Sequence, residues 1–453
     1  VESLQDERRT LTGWGRTAPT TARVVHSPDV DALAKAVRES GERGVIARGL
    51  GRSYGDPSQN AGGLVLDMTA LHRIHDVDVS DATVDVDAGV SIDDLVRAVI
   101  PHGLWIPVMP GTRQVTVGGA IAADVHGKNH HSEGSFGNHV LSMDVLGADG
   151  EIRTASPDGE HAELFWAVVG GMGLVGIVLR ATIRLKRVES AYFLVDTEQV
   201  HNLDELMARL HSNDEQYTYS VAWFDSVIGG DKLGRGTLTR GWSATYDDLP
   251  PKLRKDPFHF AAPQLATVPP VFPNGMLNNL TARMFNEVWW RKSPTRFGSV
   301  QNITQFFNPL DIAAEWNRLY GPAGFLQYQF MVPFGQEDVF RRMMRTISAS
   351  GHVSALNVLK RFGAGNDGVL SFPTPGWTLA VDLPVRPGLN KLCNELDDMV
   401  LEAGGRLYLA KESRTSAATL HAGYPRMSEW RALRAKYDPN GVFHSDLSRR
   451  LEL

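Results

Sequence analysis

Two glycine-bearing segments stand out as places where backbone amides could grip an anion. Gly49-Leu50-Gly51-Arg52-Ser53-Tyr54-Gly55 lets consecutive N–H groups turn toward one point, and Arg52 and Ser53 add side-chain donors. The second is Pro110-Gly111-Thr112-Arg113-Gln114-Val115-Thr116-Val117-Gly118-Gly119-Ala120. Together they could hold an extended cofactor at two places; for the first taken alone, a plain glycine-rich turn is the lesser alternative. Gly171-Met172-Gly173-Leu174-Val175-Gly176 matches the dinucleotide fingerprint, but it follows a helical pattern and precedes a strand. That order reverses what a nicotinamide site needs, so the segment reads as a tight helix-to-strand turn.

Side chains able to move protons or bind anions lie elsewhere. His126-Gly127-Lys128-Asn129-His130-His131 spaces histidines four apart, a metal-like interval on a helix. Gly127 weakens a helix, so no metal is expected. Gln327 and Gln329 alternate with Phe325, Tyr328 and Phe330. On a strand both would face one side, as amide donors toward a ligand or as an ordinary half-exposed face. Trp223, Phe362 and Trp377 have two readings, core packing or an apolar groove, and Lys360 near Phe362 could contact phosphate. The single cysteine, Cys393, sits in a helical apolar pattern and reads as a core residue; one cysteine excludes an internal disulfide.

Holding these residues requires a large fold. At 453 residues the chain exceeds one ordinary core, which predicts two domains. A net charge of −6 gives no electrostatic case for nucleic acid. Ser27-Pro28-Asp29 predicts a capped amphipathic helix with proline at its first position. Strands are expected at 45–47, 64–67, 83–87 and 175–185, helices from Ser91 to Gly103 and over 163–169, and a hairpin over 141–153. From about Val188 the pattern changes to alternating, aromatic-rich strands such as 217–223 and 325–330, separated by helices such as 336–348. We therefore expect an α+β chain whose second domain is an antiparallel sheet with helical cover. A final helix over 428–434 and a short terminal segment follow. Seven prolines between Leu249 and Asn279 prevent regular structure, and so long an irregular stretch is usually a lid or mobile loop. The longest apolar run, 165–179, is short and broken by glycines, so no spanning helix is expected. No signal peptide opens the chain, and its start at Val1 suggests a trimmed N-terminus.

Arg48-Gly-Leu-Gly-Arg-Ser-Tyr-Gly-Asp56, Thr116-Val-Gly-Gly119, Gly171-Met-Gly-Leu-Val-Gly-Ile177 and the tail Tyr437-Asp-Pro439 with Phe443 and Leu447 resemble the vanillyl-alcohol oxidase type of FAD enzymes. The resemblance implies an FAD-binding domain of residues 1–188 and 406–453 and a substrate domain of 189–405, with 249–279 as a mobile loop. It implies that Ala47, Arg48, Gly49, Leu50, Gly51, Arg52, Ser53, Tyr54, Gly55 and Asp56 surround the pyrophosphate. Gly111, Thr116, Val117, Gly118 and Gly119 would lie along the isoalloxazine and ribityl chain, with Ala123, Asp124, Val125, His126, Ile177 and Tyr408 completing the cofactor set. Many members carry a first-loop histidine bonded to the flavin; the matching residue here is Arg52, so the FAD is expected to be non-covalent.

A narrower set of motifs runs through nearly the whole chain: the first loop, His126 to His131, Gly324 to Phe330, Leu370 to Trp377 and Gly405 to Lys411. They resemble the branch of the family that oxidises a prenylphosphoryl ribose at C2, the first half of an epimerisation that makes the arabinose donor of cell-wall arabinan. This implies a lipid-linked sugar-phosphate substrate, an NAD-dependent keto-reductase partner, and peripheral membrane contact at the periplasmic face. Lys411, projecting from the strand that carries Tyr408, would position or deprotonate the 2-hydroxyl, with Tyr54 and His126 beside the flavin. Lys128 and Lys360 are candidates for the phosphate, and Trp223, Gln327, Gln329, Phe362 and Ala380 for the rest of the substrate. Family members often have, at the Ala380 position, a cysteine that captures nitroaromatic inhibitors; alanine cannot. Phe258, Phe260, Val271 and Phe272 are expected to touch the membrane as part of a lid. The alternative is an oxidase of a free alditol or aldonolactone with the same architecture.

Overall fold

The computed structural model describes residues 6–352 and 354–453, so the first five residues of the expected 1–188 unit lie outside the described residues. A small sheet opens the fold. β1 (Asp6–Leu11) pairs antiparallel with β2 (Thr20–Val25), and α1 (Val30–Arg38) leads to β3 (Val45–Arg48) and β4 (Leu64–Asp67). The strand order is β1-β2-β4-β3, with β4 parallel to both neighbours. α1 forms because Leu33, Ala34 and Val37 share a buried face and Asp29 caps its first turn. Pro28 therefore precedes the cap; the expected first-turn proline is corrected, since the Asp29 carboxylate accepts the Asp31 amide in that role.

A second sheet is antiparallel throughout. It contains β5 (Ile74–Asp78) and β6 (Thr83–Asp87), followed by α2 (Ile92–Val99) and α3 (Val117–Ala122). β7 (Val140–Leu146), β8 (Ile152–Ala155), α4 (Ala162–Val168) and β9 (Ile177–Arg184) complete it, in the order β5-β6-β9-β7-β8. The residues between α4 and β9 make the helix-to-strand turn expected of the literal fingerprint.

The third sheet has eight strands. It is built from β10 (Phe193–Val200), α5 (Leu203–His211), β11 (Tyr219–Phe224), β12 (Gly236–Ser243), α6 (Asn279–Lys292) and β13 (Arg296–Gln301). β14 (Phe325–Pro333), α7 (Glu337–Ala349), β15 (Asn357–Phe362), β16 (Gly376–Pro384), α8 (Leu389–Glu402) and β17 (Arg406–Leu407) follow. The order is β13-β10-β12-β11-β15-β16-β14-β17. Leu326, Tyr328 and Phe330 of β14 and Leu379, Val381 and Leu383 of β16 pack in one core with α5, α7 and α8. Burying each such side chain stabilises by roughly 1.5–3 kcal/mol, and a one-residue slip would reverse the faces. Register thus fixes Gln327, Gln329, Ala380 and Asp382 on the opposite side.

α9 (Ala417–Gly423), α10 (Met427–Tyr437) and α11 (Asp446–Leu451) bring the chain back to the first sheet, so the expected terminal segment is itself helical. His444 N donates to Val45 O at 3.0 Å, and Arg450 pairs with Asp56 at 2.7 Å. The proline-rich stretch holds only a short turn at Leu253–Lys255 and a two-residue pairing of Ala266–Thr267 with Ala313–Ala314 before α6 begins. Within it Phe260 packs against the first core, with the Arg97 guanidinium 4.1 Å from its ring, whereas Val271 is exposed. No helix among the described residues is long and apolar enough to cross a membrane.

Candidate active site

A cavity of about 1150 Å³ lies where the loops of the first two sheets meet the polar face of the third. One wall is the β3–β4 loop, with Ala47, Gly49, Leu50, Gly51, Arg52, Ser53 and Tyr54 lining it. The loop is held from two sides: Trp14 N donates to Ser53 O at 2.8 Å and Tyr54 N to Ala410 O at 2.9 Å. The amides of residues 49–53 make no hydrogen bond to protein among the described residues. Gly49 cannot carry a side chain, because a Cβ would sit 2.2 Å from Thr116 Oγ1, and Gly51 adopts a left-handed φ of +65°. Arg52 stacks on Trp14 at 4.2 Å and donates to Leu50 O at 3.0 Å. Free amides beside a guanidinium suit a diphosphate, so these residues fit FAD.

The second segment contributes Gly111, Thr116, Gly119, Ala123, Val125 and His126 to the lining. Thr116 caps α3 by accepting the Gly119 amide at 3.2 Å. Several residues expected to contact the cofactor do not line the cavity and instead hold those that do. Arg48 donates to Thr12 O at 2.8 Å; Gly55 lies so close to Glu412 O that a Cβ would approach to 2.1 Å; Asp56 is the Arg450 partner. Val117 and Gly118 donate their amides to Val90 O and Ala88 O. Asp124 is buried, accepting from Ser135 Oγ at 2.7 Å and from the Gly137 amide at 2.9 Å, which fixes the turn carrying Val125 and His126. Ile177 is packed in a core with Leu146 and Phe443.

Tyr408 and Lys411 also line the cavity. β17 stops at Leu407, so Lys411 sits in the following turn rather than on a strand, with its amide donating to Tyr408 O at 2.9 Å. Its Nζ lies 4.1 Å from the centre of the Tyr54 ring. Tyr54 Oη accepts from Gln327 Nε2 at 3.1 Å; the same nitrogen donates to Asp382 Oδ1 at 2.7 Å, and Tyr320 Oη donates to Asp382 Oδ2 at 3.2 Å. Burial pulls Lys411 down to about 7, with Asp382 opposing and Lys360 assisting. Burial likewise raises Asp382 to about 7 and lowers Lys360 to about 8. Lys128, brought to about 7 by burial and by Lys360, donates to Phe306 O. The site thus gathers Lys128, Lys360 and Lys411 on one cavity, with the Asp382 carboxylate acting on Lys411.

Asp382 and Tyr320 were not anticipated from sequence. The available signal was a lone carboxylate in phase with Ala380 on an otherwise apolar strand.

Gln329, opposite Ala380 in register, has its Nε2 3.0 Å from His126 Nε2. His126 Nε2 therefore accepts, leaving the proton on Nδ1, which is buried without a partner among the described residues. Desolvation, with Lys360 next, holds this imidazole well below its ordinary value, so it is neutral. His130 accepts the Gly363 amide at 3.1 Å, and His131 Nε2 lies 3.0 Å from Tyr217 O. Trp223 lines the cavity, its ring 4.2 Å from that of Trp289. Phe362 and Trp377 do not. Phe362 packs against the rings of His126 and His130, each at 4.7 Å, and Trp377 faces the helices, donating to Glu337 Oε1 at 2.9 Å. The groove reading is corrected for both, because pairing register sets the side to which each points. Cys393 is fully buried in the helical layer, and burial pushes its thiol up to about 12.

Comparison with known proteins agrees with this geometry. The FAD binding domain family matches residues 21–156, and the D-arabinono-1,4-lactone oxidase family matches residues 334–451. The decaprenylphosphoryl-beta-D-ribose oxidase of Mycolicibacterium smegmatis is 57% identical over 98% of this chain and 97% of its own. An uncharacterised protein of Streptomyces coelicolor is 39% identical over 80% of this chain and 100% of its own. An alditol oxidase of a Streptomyces species is 27% identical over 97% and 98%. With unattached loop amides and a buried lysine lining one cavity, the chain belongs to the decaprenylphosphoryl-β-D-ribose oxidase family of FAD-binding, vanillyl-alcohol oxidase type oxidoreductases.

Proposed function

We propose that the chain oxidises decaprenylphosphoryl-β-D-ribose at C2 to the 2-keto sugar, with FAD bound non-covalently. The observation that carries this reading is the shared cavity of Lys411, Tyr54, Lys128 and Lys360 beside the amide loop. FAD, when bound, supplies the acceptor for the hydride leaving C2. Lys411, lowered to about 7, takes the hydroxyl proton on Nζ, so the carbinol loses one hydride and one proton. Gln327 orients Tyr54, Gln329 orients neutral His126, and Lys128 and Lys360 hold the phosphate. Arg52, at the position where relatives carry a flavin-linking histidine, supports the non-covalent assignment. The division into a cofactor unit of 1–188 with 406–453 and a substrate unit of 189–405 belongs to the same reading. So do an NAD-dependent reductase that completes epimerisation toward the arabinan donor, and work at the periplasmic face in peripheral contact with the membrane.

Anaerobic mixing with prenylphosphoryl ribose should bleach the flavin absorbance, and acid should release all flavin into the supernatant. Bleaching by a free polyol or aldonolactone but not by the prenylphosphoryl sugar would favour the alternative reading, whose aldonolactone half the family match over residues 334–451 supports.

A further inference from the structure

α6 inverts the usual arrangement of a surface helix. Only Ala282 and Asn286 among its residues are buried. Leu280, Met284, Phe285, Val288 and Trp289 are 69%, 61%, 43%, 51% and 37% exposed. At 100° per residue these five cover one half of the helix, which is about 21 Å long. Phe297, just beyond it, is also exposed. Contiguous apolar surface of this extent marks an interaction site.

Two further observations choose the occupant. The first is charge: residues 279–297 carry Arg283, Arg291, Lys292 and Arg296 against Glu287, in a chain whose net charge is −6. Glu287 is engaged by Arg235 and Arg291, whereas Arg283, Lys292 and Arg296 have no carboxylate partner among the described residues. The second is continuity: Phe285, Trp289, Lys292 and Arg296 also line the large cavity, so the apolar stripe runs into its mouth.

We propose that α6 lies on an anionic lipid bilayer, with its apolar half in the acyl boundary and its cations at the headgroups. The arrangement matches interfacial helices, which pair Trp, Phe and Leu with flanking Lys and Arg. It rests on the reading of a lipid-linked substrate and adds the surface through which that substrate passes sideways into the cavity. The contact thereby moves from the proline-rich loop, where Phe260 faces the core, to the helix that follows it.

The test is co-sedimentation of the FAD-loaded full chain with phosphatidylcholine vesicles, with and without phosphatidylglycerol. Anionic vesicles should pellet the protein, pure phosphatidylcholine and raised salt should pellet much less, and Leu280→Ser/Met284→Ser/Val288→Ser should weaken pelleting about tenfold. Those three side chains lie outside the cavity lining, so bleaching by a water-soluble short-chain prenylphosphoryl ribose should be unchanged, which also verifies folding. A charge variant, Arg283→Glu/Lys292→Glu, should lose the preference for anionic vesicles. Protein that bleaches normally yet ignores every vesicle overturns the proposal while leaving the reaction intact. So does a wild-type dimer that the triple variant dissociates, because the stripe would then bind a second copy. Pelleting without bleaching would support the surface and remove the reaction.

Discussion

The two walls of the cavity are built from different materials. Toward the first sheet the wall is main chain: amides of residues 49–53, brought together by glycines and backed by Thr116. Toward the third sheet it is side chains, with Gln327, Gln329, Lys360 and Ala380 on neighbouring strands and Asp382 bonded to Gln327 behind them. A main-chain wall recognises a diphosphate without depending on which side chains surround it. A side-chain wall depends on pairing register and can change its chemistry one residue at a time. Substitutions in the first should therefore affect occupancy by the cofactor, and substitutions in the second should affect turnover while the flavin stays bound.

Lys411→Ala should give the largest effect and break that separation if it is wrong. Removing the group that takes the hydroxyl proton should lower kcat about 10³-fold, within the range of general-base deletions, with flavin content unchanged. Loss of flavin from this variant would mean that Lys411 belongs to the cofactor wall. Gly49→Val is the converse. Its side chain would meet Thr116 Oγ1, which cannot retreat without releasing the α3 cap. Overpacking of about 1–3 kcal/mol predicts a loss of FAD affinity of about 10–100-fold, measured by flavin titration of the apoprotein. Restoring saturation with added FAD should restore most of the turnover.

Asp382→Asn sharpens the side-chain wall. If Lys411 is the base it must be neutral, so kcat/KM should rise with pH through about 7 and level off above it. Asp382 opposes the lowering of that lysine, and removing its charge should move the rising limb toward acid. A profile that falls as pH rises through the same range would instead make Lys411 a charged donor.

The legibility of each wall in the sequence follows from how it is made. Gly49, Gly51, Thr116 and the caps at Asp29 and Ser91 are local patterns, readable because the atoms they position are a few residues away. The alternation of Gln327 and Gln329 was equally readable, since period two needs no partner strand. Asp382 was not, because its meaning comes from Tyr320, 62 residues earlier, and Gln327, 55 residues earlier. Phe362 and Trp377 stayed open between two readings for the same reason: their types allow a groove or a core, and register decides. Lys411 had no local signal and was reached only through resemblance. The exposed stripe of α6 follows a helical period, but the periodicity alone does not say which side the protein covers.

The smallest effect is expected at Ala380. Its methyl lines the cavity opposite Gln329, on the wall that meets substrate, but nothing in the proton or hydride balance involves it. Wild-type protein turned over with a nitroaromatic inhibitor should therefore show no mass adduct at this residue, and Cys393, buried with its thiol pushed up to about 12, should also stay unmodified. Ala380→Cys should acquire a covalent adduct while kcat changes by less than about threefold, since one added sulfur in an open cavity costs little packing energy. An adduct on Cys393 in either protein would mean that the helical layer opens or that the strand register is wrong. A large fall in kcat for Ala380→Cys without inhibitor would place the methyl against the reacting carbinol itself, and the side-chain wall would then be less tolerant of change than its construction suggests.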